Sequence, residues 1–236
     1  MTTESPKLKL YTNHSCPWAH RAHIALAELG VPYEEEIIDL SVPRTPEYLK
    51  VNPRGLVPTL AYGDEIITES AVVSNFLADA FPSHLAPAAA GDPQAALARA
   101  RIAFFADTFI SKFGGHYSKA NYGKTDEERA AAFEGIVDAA AKELDPLLAN
   151  AGPFFGGSDK LTLAEVLTAS FVIRLYASSK HGILPESIRG DLAAKAPNFD
   201  KWAQAVMKHP SVLSIWDEEK IIEVTKVRIA KLRAQA

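Results

Sequence analysis

The sequence predicts a small mixed α/β domain over residues 1–82, a linker over 83–93 and an all-α domain over 94–236. Three observations carry this. Strand-like alternation and helical periodicity interleave in the order βαβαββα through the first third. A proline-rich break without periodicity follows from Pro82 to Pro93, and beyond it strand signals vanish in favour of long helical patterns. The length of 236 residues leaves room for two domains of ordinary size.

Leu8-Lys9-Leu10-Tyr11 alternates as a half-buried strand does, and Thr12 to Cys16 is turn-rich. Pro17 opens a helix and Gly30 closes it, because the fixed φ of proline suits a first helical turn and glycine takes the left-handed cap. Tyr33 to Ile38 reads as a second strand whose successive glutamates suit an exposed edge. Residues 46–51 form a short helix. Val57 to Tyr62 and Glu65 to Thr68 flank Gly63-Asp64 as a hairpin, and a helix from Ser70 to Phe81 closes the domain. In the second part, 94–120 and 126–149 read as long helices, the latter introduced by the capping-box pattern Thr125-Asp126-Glu127-Glu128. A second box, Thr162-Leu163-Ala164-Glu165, starts an apolar helix to about Ser178. Asn198 is placed to cap a helix through Lys208, and 211–234 is an amphipathic tail.

Composition excludes several classes. With 47% hydrophobic and 23% charged residues the chain is neither disordered nor collagen-like, and one cysteine cannot staple a mini-domain. A net charge of -4 offers no nucleic-acid surface; residues 1–85 hold 6 Lys plus Arg against 11 Asp plus Glu. No apolar run approaches the roughly 20 residues of a membrane span, and Met1 to Pro6 lacks a signal pattern. These features point to a soluble cytoplasmic protein in a reducing compartment.

The lone cysteine is the informative one. Cys16 follows a strand and loop and precedes Pro17, so its sulfur stands at a helix N-terminus, where unpaired N–H groups and the positive dipole end favour the thiolate. Cys16-Pro17-Trp18-Ala19 lacks the second cysteine of a redox pair, so any mixed disulfide must be resolved by an outside thiol such as glutathione. Ser15 is a rival: its hydroxyl can hydrogen-bond a bound thiolate. His20 and His23 share a helix without a third ligand in view, so no metal site is expected.

Two more segments belong with the cysteine. Pro58 stands where a strand begins; a cis bond there exposes the backbone N–H and C=O of Val57 for pairing with an extended peptide. Glu69-Ser70 begins a helix, where Ser70 can cap it or bind a carboxylate while Glu69 receives an ammonium, which together describe an amino-acid head group.

Ser15-Cys16-Pro17-Trp18-Ala19-His20-Arg21, Asn52-Pro53-Arg54-Gly55-Leu56-Val57-Pro58, Thr68-Glu69-Ser70-Ala71 and Leu161-Thr162-Leu163-Ala164-Glu165-Val166 together resemble the cytosolic glutathione transferases in order and spacing, across essentially the whole chain. Cys-Pro followed by an aromatic and Ala is similar to the omega-like, cysteine-type class. The resemblance implies a thioredoxin-like N-terminal domain and a helical domain holding the second-substrate pocket. It implies that Cys16 contacts the glutathione sulfur, Trp18 lines the site, Val57 pairs with the cysteinyl backbone before cis-Pro58, Glu69 and Ser70 hold the γ-glutamyl end, and Arg44 meets the glycyl carboxylate. Phe113, His116, Tyr117 and Tyr176 are the second-substrate candidates, since aromatics suit apolar electrophiles. A homodimer is implied as well. His20 departs from the acidic residue familiar in the animal enzymes, so substrate preference does not transfer.

Three functions follow as expectations. The leading one is glutathione-dependent thiol transfer or reduction through a Cys16 mixed disulfide, with disulfides or dehydroascorbate as substrates. The second is conjugation of glutathione to an apolar electrophile, as in detoxification, with Ser15 or Tyr11 assisting the thiolate. The third is a non-catalytic binding module of the same fold; a membrane-inserting relative is disfavoured because His20, Arg21 and His23 lie on the helix that would have to insert.

Overall fold

Alternation over Leu8–Thr12 gives β1, with Leu8, Leu10 and Thr12 buried on one face and Lys9 and Tyr11 half-buried on the other. The computed structural model describes residues 7–88 and 90–234. From β1 the chain turns into α1 (Pro17–Leu29), with proline in its first turn and Gly30 at φ 61° as its cap, as the local punctuation requires. It returns as β2 (Glu34–Ile37), parallel to β1 with Leu10 opposite Glu35. β2 is the exposed edge its glutamates call for, and Lys9 Nζ pairs with Glu36 at 2.7 Å across it. After α2 (Pro46–Val51) come β3 (Thr59–Tyr62), β4 (Glu65–Thr68) and α3 (Ser70–Ala80). β3 pairs antiparallel with both β1 and β4, giving the order β2-β1-β3-β4.

The helical part begins at α4 (Pro93–Thr108), capped by Asp92, whose carboxylate accepts from the Gln94 N–H at 2.8 Å. It runs through a π-helical stretch, Phe109–Gly114, into α5 (Gly115–Tyr122). α6 (Asp126–Ala139) also ends in a π segment. α7 (Leu163–Lys180) is the central helix: every residue from Leu163 to Ser179 is buried. Its box forms as read, with the Thr162 N–H donating to Glu165 at 2.8 Å. α8 (Ile188–Lys195), α9 (Pro197–Val206), α10 (Pro210–Leu213) and α11 (Glu218–Arg233) complete the chain.

The structure revises the expected elements in three places. Asn198 does not cap α9. Pro197 already occupies the first turn, and the Asn198 amide instead donates to Asp145 at 2.9 Å. The tail divides at residues 214–217 because Asp217 caps a new helix, accepting from the Lys220 N–H at 3.1 Å. α8 was not foreseen.

One continuous core runs from Leu8, Leu10 and Leu60 of the sheet through Leu77 to Phe105, Leu175 and Trp202. The 83–93 connection is tied down too: Leu85 is fully buried and its carbonyl accepts the Leu163 N–H at 2.7 Å. α1 and α3 therefore pack directly on α7, so the helical part is placed to contribute side chains beneath the Cys16 loop.

Candidate active site

Cys16 is the N-cap residue of α1, in extended backbone conformation (φ -81°, ψ 121°), and its side chain makes no capping bond. Asn13 shapes the loop before it. Its Oδ1 accepts the Ser15 N–H at 3.0 Å, its Nδ2 donates to the Ile38 carbonyl at 2.9 Å, and its own carbonyl accepts the Cys16 N–H at 3.0 Å. The thiol is free and half-buried, packed with Tyr11 and Val51 against Ala19, Ile38, Tyr48 and Val57. Cys16 and Val57, 41 positions apart in sequence, thus share one small apolar cluster.

The Val57–Pro58 bond is cis. The turn before it is braced from α2: the Tyr48 hydroxyl donates to the Leu56 carbonyl, and Asn52 Nδ2 donates to the same carbonyl at 3.0 Å and to Thr59 Oγ1 at 2.9 Å. Among the described residues, neither the N–H nor the C=O of Val57 has a hydrogen-bond partner. Gly55 takes φ 63° there, which favours glycine, and a Cβ on it would stand 3.0 Å from Arg44 Cγ and press on that side chain. Arg44 lies beside this turn. Its Nε donates to the Gly55 carbonyl at 3.0 Å and its Nη1 to those of Asp39 and Val42 at 2.7 and 2.6 Å, so much of its guanidinium is spent on the loop itself.

Glu69, not Ser70, is the N-cap of α3, and it sits at φ 68°, a conformation that costs a non-glycine residue of order 1 kcal/mol or more and is found where a site demands it. Its carboxylate pairs with Arg54 at the surface. Ser70 begins the helix, and its Oγ accepts from Arg21 Nη1 at 3.2 Å, which leaves the Ser70 proton free to donate outward.

Two buried arginines flank α1. Arg21 lies under Trp18, 4.6 Å from the ring centroid, and burial pushes its guanidinium down to about 10. Arg174 of α7 reaches across from the helical part. Its Nη1 donates to His20 Nδ1 at 3.0 Å and to the Ser170 carbonyl at 2.9 Å, and its Nη2 lies 3.3 and 3.4 Å from the carbonyls of His14 and Ser15. An arginine can only donate, so His20 Nδ1 accepts and its Nε2–H donates to the Val212 carbonyl at 2.9 Å. Among the described residues, neither arginine has a carboxylate partner. Among the described residues, two desolvated guanidinium groups without a carboxylate partner thus lie beside α1.

Trp18 is 42% exposed and meets Phe171 edge-on, with ring centroids 4.8 Å apart. It borders a cavity of about 600 Å³ between α3 and α4, whose lining includes Arg21, Asn75 and Asp107. Phe171 in turn meets Tyr117 at 6.0 Å, and Phe113 stacks on Tyr117 at 6.4 Å, so these two candidates join Trp18 through a ring that sequence reasoning passed over. The other two lie elsewhere. The exposed His116 ring covers Gly135 of α6. Tyr176 turns to α9, its hydroxyl donating to Asp200 at 2.7 Å, because two residues along a helix point it some 200° from Arg174.

His20 and His23 face different partners rather than one ligand. His23 joins Thr12 Oγ1 (2.8 Å) and the Tyr33 hydroxyl (3.0 Å), and with His14 and Glu35, not with His20, it offers ligand atoms within 4.8 Å of one another, a grouping that the sequence did not reveal. Both His23 nitrogens are already engaged, so a cation there would displace a hydrogen bond. Burial, reinforced by His14, pushes His23 down to about 3, and burial drives His20 well below the histidine range. The unfolded chain therefore takes up protons below about pH 6.5 that the folded chain refuses, and stability present above that pH is lost as pH falls towards the folded values. The unfolding free energy from urea titrations should fall by roughly 1–2 kcal/mol per pH unit from pH 6.5 to 4.5, and less steeply in His23→Gln; equal slopes in both proteins would refute this.

The sequence model of the glutathione S-transferase N-terminal domain matches residues 15–80. Probable glutathione S-transferase GSTU1 of Oryza sativa subsp. indica is 31% identical over 224 residues, 91% of this chain and 94% of that protein. Glutathione S-transferase 1 of Dianthus caryophyllus is 38% identical, over 35% of this chain and 38% of its own length. Among solved structures, glutathione transferase Omega 1C from Trametes versicolor superposes with TM-score 0.83 at 28% identity, covering 96% of this chain and 98% of that one. Rice GST1, in complex with glutathione, gives 0.82 at 27% identity over 97% and 99%. The chain belongs to the glutathione S-transferase family. Among the described residues, no helix is long and apolar enough to cross a membrane.

Proposed function

We propose that this protein is a glutathione-dependent thiol transferase of omega-like type, acting on small disulfide or otherwise electrophilic substrates in a reducing compartment. The observation that carries the reading is the half-exposed thiol of Cys16 at the start of α1, in one cluster with Val57. The Cys16 thiolate attacks the glutathione sulfur of a mixed disulfide RS–SG, forming Cys16–S–SG and expelling RS⁻, which takes a proton from water. A glutathione thiolate then attacks the bound glutathione sulfur, releasing GSSG and returning the Cys16 thiolate. Val57 would pair with the cysteinyl backbone, Pro58 would set that edge, and Glu69 and Ser70, with Arg21 behind them, would hold the γ-glutamyl end. Arg44 would meet the glycyl carboxylate, and Trp18 would line the sulfur side. The second substrate would lie against Trp18, Phe171 and Tyr117; Phe113 would support Tyr117 from behind. His116 and Tyr176 have less claim, given where they point.

The test compares Cys16→Ser with Ser15→Ala in a hydroxyethyl-disulfide and dehydroascorbate assay, with mass spectrometry for a glutathione adduct on Cys16. If only Ser15→Ala fails, and aryl halides are conjugated, the chemistry is conjugation instead.

A homodimer is part of the proposal. Val72 on α3 and Leu97 and Phe104 on α4 are exposed apolar side chains on the helices that border the cavity, and a second copy is the occupant we expect. Phe104→Asp should yield monomer in sedimentation equilibrium at micromolar concentration; a monomeric parent protein would refute the assignment.

A further inference from the structure

Arg174 is the feature that the proposed chemistry leaves unused. It belongs to the helical part, is 6% exposed, and interrupts a helix otherwise free of charge from Val166 to Ser179. Four of its five N–H groups find acceptors, all of them uncharged, and Nε has none. A guanidinium so desolvated, with no anion beside it, carries a penalty of several kcal/mol unless an anion forms nearby. The groups that face it can be enumerated. From α1 comes His20, held neutral by burial and by the arginine itself; from α5 come the phenols of Tyr117 and Tyr122, a class that stays protonated near neutral pH. Trp216 lies across it at 5.2 Å, the His14 and Ser15 carbonyls touch it, and Cys16 follows Ser15 directly in the chain. Of these side chains, Cys16 carries the thiol, and thiols ionise more readily than phenols.

We propose that Arg174 is the positioning residue for the Cys16 thiolate: it ties the loop before Cys16 to α7 through two carbonyls and supplies the positive charge that makes the ionised sulfur the favoured form. The two parts of the molecule are then coupled at the reacting atom, since the helical part sets the state of a thiol carried by the other.

The experiment is the pH dependence of Cys16 alkylation by iodoacetamide in the full chain. Arg174→Gln should move the midpoint up by about one pH unit and slow alkylation at pH 6 about tenfold, whereas Arg174→Lys, which keeps the charge, should stay within about half a unit of wild type. A folded Arg174→Gln protein with the wild-type profile overturns the proposal. Should that variant not fold, the wild-type protein answers the question. The Arg174 Nε–H NMR resonance should titrate with the alkylation midpoint and lose that step in Cys16→Ser; a resonance indifferent to Cys16 overturns the proposal as well. The inference builds on Cys16 as the reacting thiol, and the two fail differently: turnover surviving in Cys16→Ser removes the chemistry, an unmoved Arg174→Gln midpoint removes the arginine.

Discussion

Replacing Cys16 by serine should lower glutathione-dependent disulfide reduction by about 10³-fold or more, leaving only the uncatalysed attack of free glutathione. A hydroxyl in the sulfur's place cannot form a mixed disulfide, so the loss falls on the chemical step rather than on folding. The structural cost should be small, since the sulfur makes no capping hydrogen bond and is half-buried in a minor cluster. Circular dichroism should therefore match the parent protein, and the unfolding free energy should differ by no more than the roughly 1 kcal/mol of the thiolate's interaction with Arg174, lost above the Cys16 alkylation midpoint. Ser15→Ala should stay within a factor of about three, the scale of a surface change of about half a kcal/mol. Its backbone, not its hydroxyl, is what the loop uses: the N–H donates to Asn13 and the carbonyl faces Arg174. The reverse ranking, with Ser15→Ala inactive and Cys16→Ser active, would replace the redox mechanism by thiolate-assisted conjugation.

What could be read in the sequence was whatever is decided locally. Pro17 and Gly30 punctuate α1, Gly63-Asp64 makes a hairpin, and Thr162 with Glu165 closes a cap, because each depends on residues a few positions apart. The position of Cys16 at a helix start was legible for the same reason. Arg21 and Arg174 were not, since their partners lie up to 160 positions away and a buried charge looks, in sequence, like a solvated one. A signal was present nonetheless: Arg174 is the one charge in the apolar run from Val166 to Ser179, and a charge that a buried helix retains is there to meet something. Phe171 was hidden differently. As one apolar residue among many in α7 it had no mark of function, and only the packing of α7 on α1 turns its ring to Trp18. Ser70 shows the limit of capping rules, for a Ser at a helix start was the obvious cap, yet the chain turns one residue earlier, at Glu69.

Glu165→Ala should be the most destabilising single change in the helical part, by about 3–5 kcal/mol. The carboxylate is fully buried and is filled on both oxygens. Oε1 accepts from the Phe155 N–H at 2.8 Å and Trp202 Nε1–H at 2.7 Å, and Oε2 accepts from the Thr162 N–H at 2.8 Å and its hydroxyl at 2.7 Å. Truncation leaves these donors in the core without water to replace their acceptor, and it opens a void beside the Phe105, Phe155 and Trp202 rings. For a chain of this length that stability loss lowers Tm by roughly 10 °C. Glu165→Gln should fall between, because its carbonyl can keep one pair of donors while its amide confronts the other with N–H against N–H. Because Glu165 touches neither the Cys16 loop nor Arg174, the rate per folded molecule at 20 °C should be unchanged and only thermal inactivation should come earlier. A variant as stable as its parent would mean that the core supplies these donors with other acceptors, and a variant equally stable but slow would mean that α7 transmits its start to the thiol through Phe171 and Arg174.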